Sequence, residues 1–323
     1  MKNLKKIISL ILIVTLTLTL TACAEKKSDV LDVGIVQMAD NGAFTDMREG
    51  FIAQMRKLGY TEDKMTFDYK NAQGDMTVLN TICQDMAGDK KDLIVTIATP
   101  PTQAMVNLDS DIPVFFISVS NPVGAGIITD MKSPDKNATG TSNAIPVAEM
   151  FKFSDKLTPG RKTYGLIYCT SEINSVTTIK NAKAYLDANG LKYQEAVVTT
   201  SADVPQAMQS LIGKVDAVFV PNDSVVQSAL TQVAQIAKEA KIPVYGSSAV
   251  MVASGAFATI SIDDKTIGSM TADMVGKFLS GTAIKDIPAV VVSEFTTVIN
   301  ETTAAAIGVQ VAQDVLNTAV ILK

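Results

Sequence analysis

Small polar side chains gather in the loops that follow the apolar segments of this sequence, and these loops can supply binding chemistry. Hydroxyl and amide groups suit a carboxylate, whereas the carboxylates of Glu172 and Asp223 suit an ammonium group. Together they suit a zwitterion such as an amino acid. The candidate ligand-binding residues in these loops are Thr99, Ser118, Ser171, Glu172, Asn174, Asn222, Asp223 and Ser247.

Several of these residues have a second interpretation as helix caps. Thr99, Ser171, Asn174, Asn222 and Asp223 stand just before or at the start of predicted helices, where such side chains satisfy free backbone amides without any ligand. For each of them, the sequence leaves capping and binding equally open.

Two further groups suggest chemistry that their surroundings do not support. Residues 124–126 (GAG) lack the third glycine and the strand-turn-helix setting of a dinucleotide site. Asp263 and Asp264 lack the companions of a calcium loop, so we interpret them as a solvated or capping pair. We expect no cofactor and no metal.

Alternating strand and helix patterns must position the polar loops. The apolar run 33–38 predicts a buried strand and the spacing of Met47, Phe51 and Met55 predicts a helix. A second series of the same kind starts at 164. We therefore predict an α/β protein with two doubly wound parallel-sheet lobes joined by a hinge.

The expected lobes are discontinuous in sequence, because the last 75 or so residues carry too few elements for a third domain. We expect 32–142 with 248–284 in the first lobe and 143–247 with 285–323 in the second. The chain would then cross between lobes near Ser142, Ser247 and 283–288.

The first residues are built like an export signal. Three lysines precede an uncharged apolar stretch at 7–22, which is shorter than a membrane-spanning helix. We expect a signal peptide at 1–22, a lipid-carrying Cys23 in a lipobox, and a short tether at 23–31. This would place the protein on the outer face of the cell membrane.

Composition excludes several functional classes. The chain has no histidine, which excludes Ser-His-Asp and Cys-His catalysis and histidine-based zinc sites. Without 1–22 it keeps 28 − 3 = 25 basic residues against 33 acidic ones, a net charge of −8 that argues against nucleic-acid binding. Cys83 and Cys169 lie in apolar segments, and we expect buried free thiols.

Seven motifs, in order along the chain, give the sequence a family resemblance. Together with the strand at 33–38, these seven motifs resemble those of the ABC-transporter substrate-binding lipoproteins of the tryptophan/tyrosine-binding type. The motifs are 48–51 (REGF), 99–104 (TPPTQA), 120–126 (SNPVGAG), 137–142 (NATGTS), 171–175 (SEINS) and 221–223 (PND), besides the lipobox.

The resemblance implies a type I periplasmic-binding-protein fold, in which two lobes close over one ligand, here an aromatic amino acid. It also implies a membrane permease as partner. We expect the protein to be a monomer. Carried over by motif, the cleft residues are Thr99, Gln103, Ser142, Ser171, Glu172, Asn222 and Asp223.

The loop after the first strand departs from the family. Relatives commonly carry a loop similar to His-Pro-Ala-Leu-Asp, whereas this chain has 40–46 (DNGAFTD) and keeps only the final Asp46. The ligand is therefore less firmly implied than the fold. Phe44, Phe116 and Tyr168 are candidates for stacking on a ligand, and Phe44 is the best of them because it is predicted to lie in a loop.

Three alternatives stay open at this point. The same fold could take a branched amino acid, a nucleoside or a sugar. It could serve as a receptor ectodomain that reports its ligand to a sensor. The least favoured alternative is a surface enzyme with Glu172 and Asp223 as an acid/base pair.

Overall fold

The structure, a computed structural model, describes residues 30–144 and 146–323. Its first lobe is built on a six-stranded parallel sheet. The strands are β1 (Leu31–Gln37), β2 (Met65–Asn71), β3 (Leu93–Ile97), β4 (Val114–Ile117), β5 (Ala138–Ser142) and β11 (Val290–Val291). Their order across the sheet is β11-β5-β4-β3-β1-β2.

The second lobe is built on a seven-stranded sheet. Its strands are β6 (Thr163–Cys169), β7 (Lys192–Val198), β8 (Ala217–Phe219), β9 (Val244–Tyr245), β10 (Ala258–Ser261), β12 (Thr296–Asn300) and β13 (Val320–Leu322). They run in the order β13-β12-β10-β9-β8-β6-β7. The β10–β12 pair is antiparallel and the other pairs are parallel. The expected α/β class with two largely parallel lobes is confirmed.

Helices cover both faces of each sheet. Those of the first lobe are α1 (Gly42–Lys57), α2 (Met76–Gly88), α3 (Thr99–Val106) and α10 (Asp264–Leu279). Those of the second are α4 (Val147–Leu157), α5 (Ile173–Ala188), α6 (Val204–Leu211), α7 (Ser224–Ser228), α8 (Leu230–Glu239), α9 (Ala249–Ala253), α11 (Glu301–Ile307) and α12 (Gln313–Leu316). Two short 3₁₀ turns lie at Ser201–Asp203 and Ile284–Asp286.

Burial on both faces explains why the central strands are apolar without alternation. In β3 every residue is buried. In β6, Leu166 packs into one hydrophobic cluster and Ile167 into another, because successive strand side chains point to opposite faces. Each sheet is thus a rigid platform whose strand ends can hold loops in place.

The positions where the chain crosses between the sheets differ from two of the three expected boundaries. Strand β10 pairs with β9 and β12 in the second sheet, although 248–284 was expected in the first lobe. Strand β11 pairs with β5 in the first sheet, although 285–323 was expected in the second lobe. Very short strands carry too little periodicity to show which sheet they join. The crossings lie at 143–146, 262–263 and 292–295.

Helices α1 and α10 touch through glycines, and both carry residues that reach the space between the lobes. A Cβ atom at Gly268 would overlap the backbone oxygen of Met47, and one at Gly50 would overlap the backbone of Lys265. Only hydrogen fits at these two contacts, so the helix axes approach more closely than ordinary side chains allow.

A Gly268→Ala substitution is therefore expected to lower the free energy of unfolding by about 3 kcal/mol, because an added methyl group must push two backbones apart. The matched control is Gly276→Ala on the same helix, where the new Cβ would lie 3.0 Å from the flexible end of the Leu58 side chain. Urea unfolding of both variants measures the difference. Equal stabilities would contradict the close helix contact.

The N-terminal predictions lie outside the described residues. These are the signal peptide at 1–22, lipidation at Cys23 and nearly all of the tether at 23–31. Within the described ranges, no helix has the length and hydropathy needed to cross a membrane. Cys83 and Cys169 are buried free thiols, as expected.

Candidate functional site

A cavity lies between the two lobes, at the carboxyl ends of the central strands. This is where open α/β sheets bind ligands. It contains about 650 Å³ of space not filled by protein atoms, its open mouth included. The main polar residues of its wall are Thr99, Ser118, Ser120, Asn143, Asn174, Asn222, Asp223, Ser224, Gln227, Ser247, Ser248, Ser261 and Asp264.

The second lobe contributes a helix start and a loop that are tied to each other. The Asn174 Nδ2 donates to the backbone oxygen of Asn222 at 2.7 Å, and the Ser175 hydroxyl donates to the same oxygen at 3.1 Å. These bonds join the first turn of α5, which follows β6, to the loop after β8. Asn174 and Asn222 line the cavity from these joined segments, which fixes their position before any ligand arrives.

Asp223 combines the two roles that the sequence left open. Its Oδ1 accepts the Val226 amide at 2.9 Å and so caps α7, while its Oδ2 accepts the Cys169 amide at 2.6 Å. The residue is 2% exposed, and it also lines the cavity. Burial raises the pKa of the Asp223 carboxyl. A positive group of a ligand would counter that effect.

Glu172 lies next to Asp223 but outside the cavity wall. Its two carboxylate oxygens accept the Ser224 amide at 3.1 and 3.2 Å, and one also accepts the Ser224 hydroxyl at 3.3 Å. Burial, followed by the nearby Asp223 carboxylate, raises the pKa of Glu172 to about 8. Glu172 therefore supports the loop that carries Asp223 and Ser224.

The first lobe contributes hydroxyls held on an unusual backbone. Ala98 directly follows β3 and Ser118 directly follows β4, with φ of 80° and 65°. Residues other than glycine seldom adopt this region, and it is often found at binding sites. Both line the cavity, together with Thr99 and Ser120. The Ser120 hydroxyl donates to the side-chain oxygen of Asn143 at 2.9 Å.

An apolar wall completes the cavity. Phe44 and Met47 reach it from α1, and Ile267 reaches it from α10. Ile260 lines it from β10. Ile262 and the exposed Phe295 line it from two of the segments where the chain passes between the sheets. Such a wall suits the apolar side chain of a ligand. Phe44 lies in α1 and not in a loop, whereas Phe116 and Tyr168 are core residues that do not line the cavity.

Two buried polar atoms of the cavity residues have no hydrogen-bond partner among the described residues. They are the Oδ1 of Asn174 and the Nε2 of Gln227. A buried amide atom without a partner costs about 1 to 3 kcal/mol. Asn174 and Gln227 thus each line the cavity with one amide atom whose hydrogen-bonding capacity the described protein groups leave unused.

The cavity brings together six of the eleven residues singled out from the sequence: Thr99, Ser118, Asn174, Asn222, Asp223 and Ser247. The hydroxyl of Ser247 is already used, since it donates to the Val220 oxygen at 2.6 Å. The other five residues lie outside the wall for identifiable reasons.

Other contacts hold these five side chains. Glu172 is bound to Ser224, as described above. Asp46 lies on α1, 3.4 Å from the Lys265 ammonium, and Gln103 donates to the Ala125 oxygen at 2.8 Å. The Ser142 hydroxyl donates to the Ser120 oxygen at 3.1 Å, and the exposed Ser171 hydroxyl lies 3.0 Å from the Cys169 sulfur.

The structure adds cavity residues that the sequence did not single out for binding. Gln227 stands four positions after Asp223, one helical turn along. This spacing places the two side chains on the same side of the helix, so the sequence could have indicated Gln227. The sequence suggests a solvated or capping role for both Asp263 and Asp264. Asp263 does cap α10, through the Thr266 amide at 2.7 Å, whereas Asp264 lines the cavity. No group of three or more metal-ligating side chains occurs in the parts of the chain that the structure covers.

Comparison with known proteins agrees with this geometry. The family model for ABC transporter substrate binding proteins matches residues 32–323. A tyrosine-binding protein of Clostridioides difficile (strain R20291) is 34% identical over 321 residues, which covers 95% of this chain and 93% of that protein. These relatives are substrate-binding proteins of transporters, a class that acts outside the cytoplasm.

Two solved structures are similar over nearly their whole length. An ABC domain from Streptococcus pneumoniae in complex with L-Trp is 30% identical, with a TM-score of 0.87 over 91% of this chain and 100% of that one. A ligand-free, open substrate-binding protein with adhesive properties from Clostridium difficile is 34% identical, with a TM-score of 0.70 over 91% and 99%. The chain therefore belongs to the ABC transporter substrate-binding proteins, with their two-lobed type I periplasmic-binding-protein fold.

Proposed function

We propose that this protein captures an aromatic L-amino acid, Trp, Tyr or Phe, between its lobes and delivers it to an ABC permease in the membrane. The observation that carries the proposal is one cavity in which the Asp223 carboxylate and unpartnered amide atoms face hydroxyls of the other lobe beside an apolar wall. The tyrosine-binding relative and the L-Trp complex support the same ligand class.

The main-chain groups of the amino acid are assigned to the polar part of the cavity. Its ammonium group binds Asp223 and the free Oδ1 of Asn174, because both are buried acceptors in the second lobe. Its carboxylate binds the hydroxyls of Thr99 and Ser118 and the Nε2 of Gln227. Asn222 and Ser247 complete this part of the wall. Asp46, Gln103, Ser142, Ser171 and Glu172 have no contact with the ligand and keep their bonds outside the wall.

The ring is assigned to the apolar wall. Phe44 is 8% exposed and Met47 is 4% exposed, and both belong to the helix that packs on α10. A ring placed against them gains aromatic and sulfur contacts as well as burial. A ligand held in this way touches both lobes and stabilises their closed arrangement, which the permease then recognises.

The arrangement of the lobes supports such a closure. The chain superposes better on the L-Trp complex, at a TM-score of 0.87, than on the open, ligand-free relative, at 0.70, although the open relative is the more similar in sequence. This difference supports an arrangement of the lobes similar to that of the ligand-bound relative. Movement about the three crossings at 143–146, 262–263 and 292–295 would open the cavity.

The protein works at the outer face of the cell membrane. A signal peptide at 1–22 directs export, and lipid on Cys23 anchors a monomer beside its permease at the outer face of the membrane. The protein binds and releases its ligand without chemical change. Residues 23–31 serve as the tether.

Thermal unfolding of a chain that starts at residue 24, stripped of carried ligand, tests the proposal. The panel contains the twenty L-amino acids, nucleosides and common sugars. A ligand at 100 times its Kd adds about 2.7 kcal/mol of stability, which raises the midpoint by a few degrees. We expect the response to be confined to Trp, Tyr and Phe. A response to only a branched amino acid, a nucleoside or a sugar would contradict the proposed ligand class.

A further inference from the structure

One ionisable side chain stands beside the apolar wall of the cavity. Asp264 is the first residue of α10, and its neighbours in the wall, Ile262 and Ile267, are apolar. Helix α10 packs on α1 so closely that Gly268 faces the Met47 backbone, which brings Asp264 beside the part of α1 that supplies Phe44 and Met47. The other cavity carboxylate, Asp223, belongs to the second lobe.

The contacts of the surrounding charged groups leave Asp264 without a partner. Asp263 uses its carboxylate to cap α10, and the exposed Lys265 ammonium pairs with Asp46 at 3.4 Å. Among the described residues, no hydrogen bond or ion pair reaches the Asp264 carboxyl. Burial, then the carboxylates of Asp46 and Asp263, raise the pKa of this carboxyl to about 8.

Asp264 is partly buried, and its carboxyl offers an acceptor that no described protein group uses. A ligand that excludes water from this part of the cavity must satisfy such an acceptor, or its desolvation costs binding free energy. The proposed ligands differ in one respect that matters here. Tyrosine carries a phenol O–H and tryptophan an indole N–H on the ring, whereas phenylalanine carries no ring donor. An acceptor beside the ring can therefore distinguish these amino acids.

We propose that Asp264 is a specificity-determining residue that accepts a hydrogen bond from the ring O–H or N–H of the ligand and so selects Tyr and Trp over Phe. This inference rests on the proposed function, because it requires the ring to lie against Phe44 and Met47. The pKa of Asp264 is consistent with this role, since a neutral ring donor does not need a charged acceptor, whereas an ammonium group does.

Isothermal titration of ligand-stripped protein with Tyr, Trp and Phe tests the inference. Wild-type protein should bind Tyr or Trp at least ~100-fold more tightly than Phe, because a site built for a polar group rejects an analogue that lacks it. An Asp264→Leu variant should bind Tyr and Trp at least ~10-fold more weakly than wild type, with Phe unchanged or tighter. An Asp264→Asn variant, which keeps an acceptor of the same size, should fall between the two.

The matched control is Asp263→Asn, which removes the neighbouring charge while keeping a helix-capping side chain. Its affinities should equal those of the wild type. Equal loss of Tyr, Trp and Phe in Asp264→Asn would assign Asp264 to the ammonium group and overturn the inference. Equal affinities of wild-type protein for the three amino acids would also overturn it while leaving the proposed function intact. If none of the three binds wild-type protein, the proposed function itself fails.

Discussion

An Asp223→Asn variant is expected to bind its aromatic amino acid about 100-fold more weakly than the wild type. Removing one member of a buried, hydrogen-bonded charge pair costs on the order of 2 to 5 kcal/mol of binding free energy. Asp223 lines the cavity at 2% exposure, and it is the charged residue that the second lobe places in the wall. The neutral amide leaves the ligand ammonium without a counter-charge. Isothermal titration of the stripped protein measures the loss.

The control for Asp223 must separate lost binding from lost loop structure, because Asp223 also accepts two backbone amides. Asp216 offers this match. Its carboxylate accepts the Lys162 and Thr163 amides, both at 2.9 Å, at the other end of the same strands. Asp216→Asn should lower stability by a similar amount and leave affinity unchanged. A folded Asp223→Asn variant with wild-type affinity would remove Asp223 from the ammonium site.

The architecture of this protein could be predicted because its central strands are unmistakable in sequence. The run Leu93–Ile97 is buried throughout and is apolar except for Thr96. Gly59 and Gly190 follow α1 and α5 with positive φ, the usual signal of a helix end. Such signals are local, so a single sequence carries them. The correct fold class followed from their alternation.

The missed elements share a different property, which is that tertiary contacts define them. Strand β5 (Ala138–Ser142) consists of small and hydroxyl residues, and β10 (Ala258–Ser261) has only four residues. They are strands because β4 lies beside β5, and β9 and β12 lie beside β10. Because β10 is not evident in the sequence, the sequence predicts the second crossing near Ser247, about fifteen residues too early, and does not show that Asp264 follows a strand end.

The cavity residues were partly predictable for the same reason. The segments directly after the recognised strands β3, β4, β6 and β8 supplied Thr99, Ser118, Asn174 and Asp223, and all four line the cavity. Whether a side chain in such a loop points to the cavity or to a neighbouring loop depends on packing. Glu172 shows this, since it stands two residues from Asn174 but turns toward Ser224. The resemblance to relatives could not separate these cases.

The stability of the ligand-free protein should fall as the pH rises from about 5 to 8, and Glu172→Gln should remove a large part of that fall. The pKa of Glu172 is about 8 in the folded protein, against an ordinary value of 4.5. Between these values the unfolded chain loses a proton that the folded protein keeps. The stabilisation is therefore complete below pH 4.5 and is lost as the pH rises through about 8.

The size of this effect is on the order of 4 kcal/mol at pH 8 for a fully buried carboxyl. Glutamine resembles the neutral acid, because its oxygen can accept the Ser224 amide while its NH₂ group donates to the Ser224 hydroxyl. Urea unfolding at pH 5, 6, 7 and 8 should show a flatter profile for Glu172→Gln and a higher stability than wild type at pH 8. The raised pKa of Asp264 acts in the same window, so Asp264→Asn should flatten the profile as well. Parallel profiles for wild type and Glu172→Gln would mean that Glu172 is ionised in the folded protein at neutral pH, and the Asp223 site would then carry two negative charges that the ligand ammonium must balance.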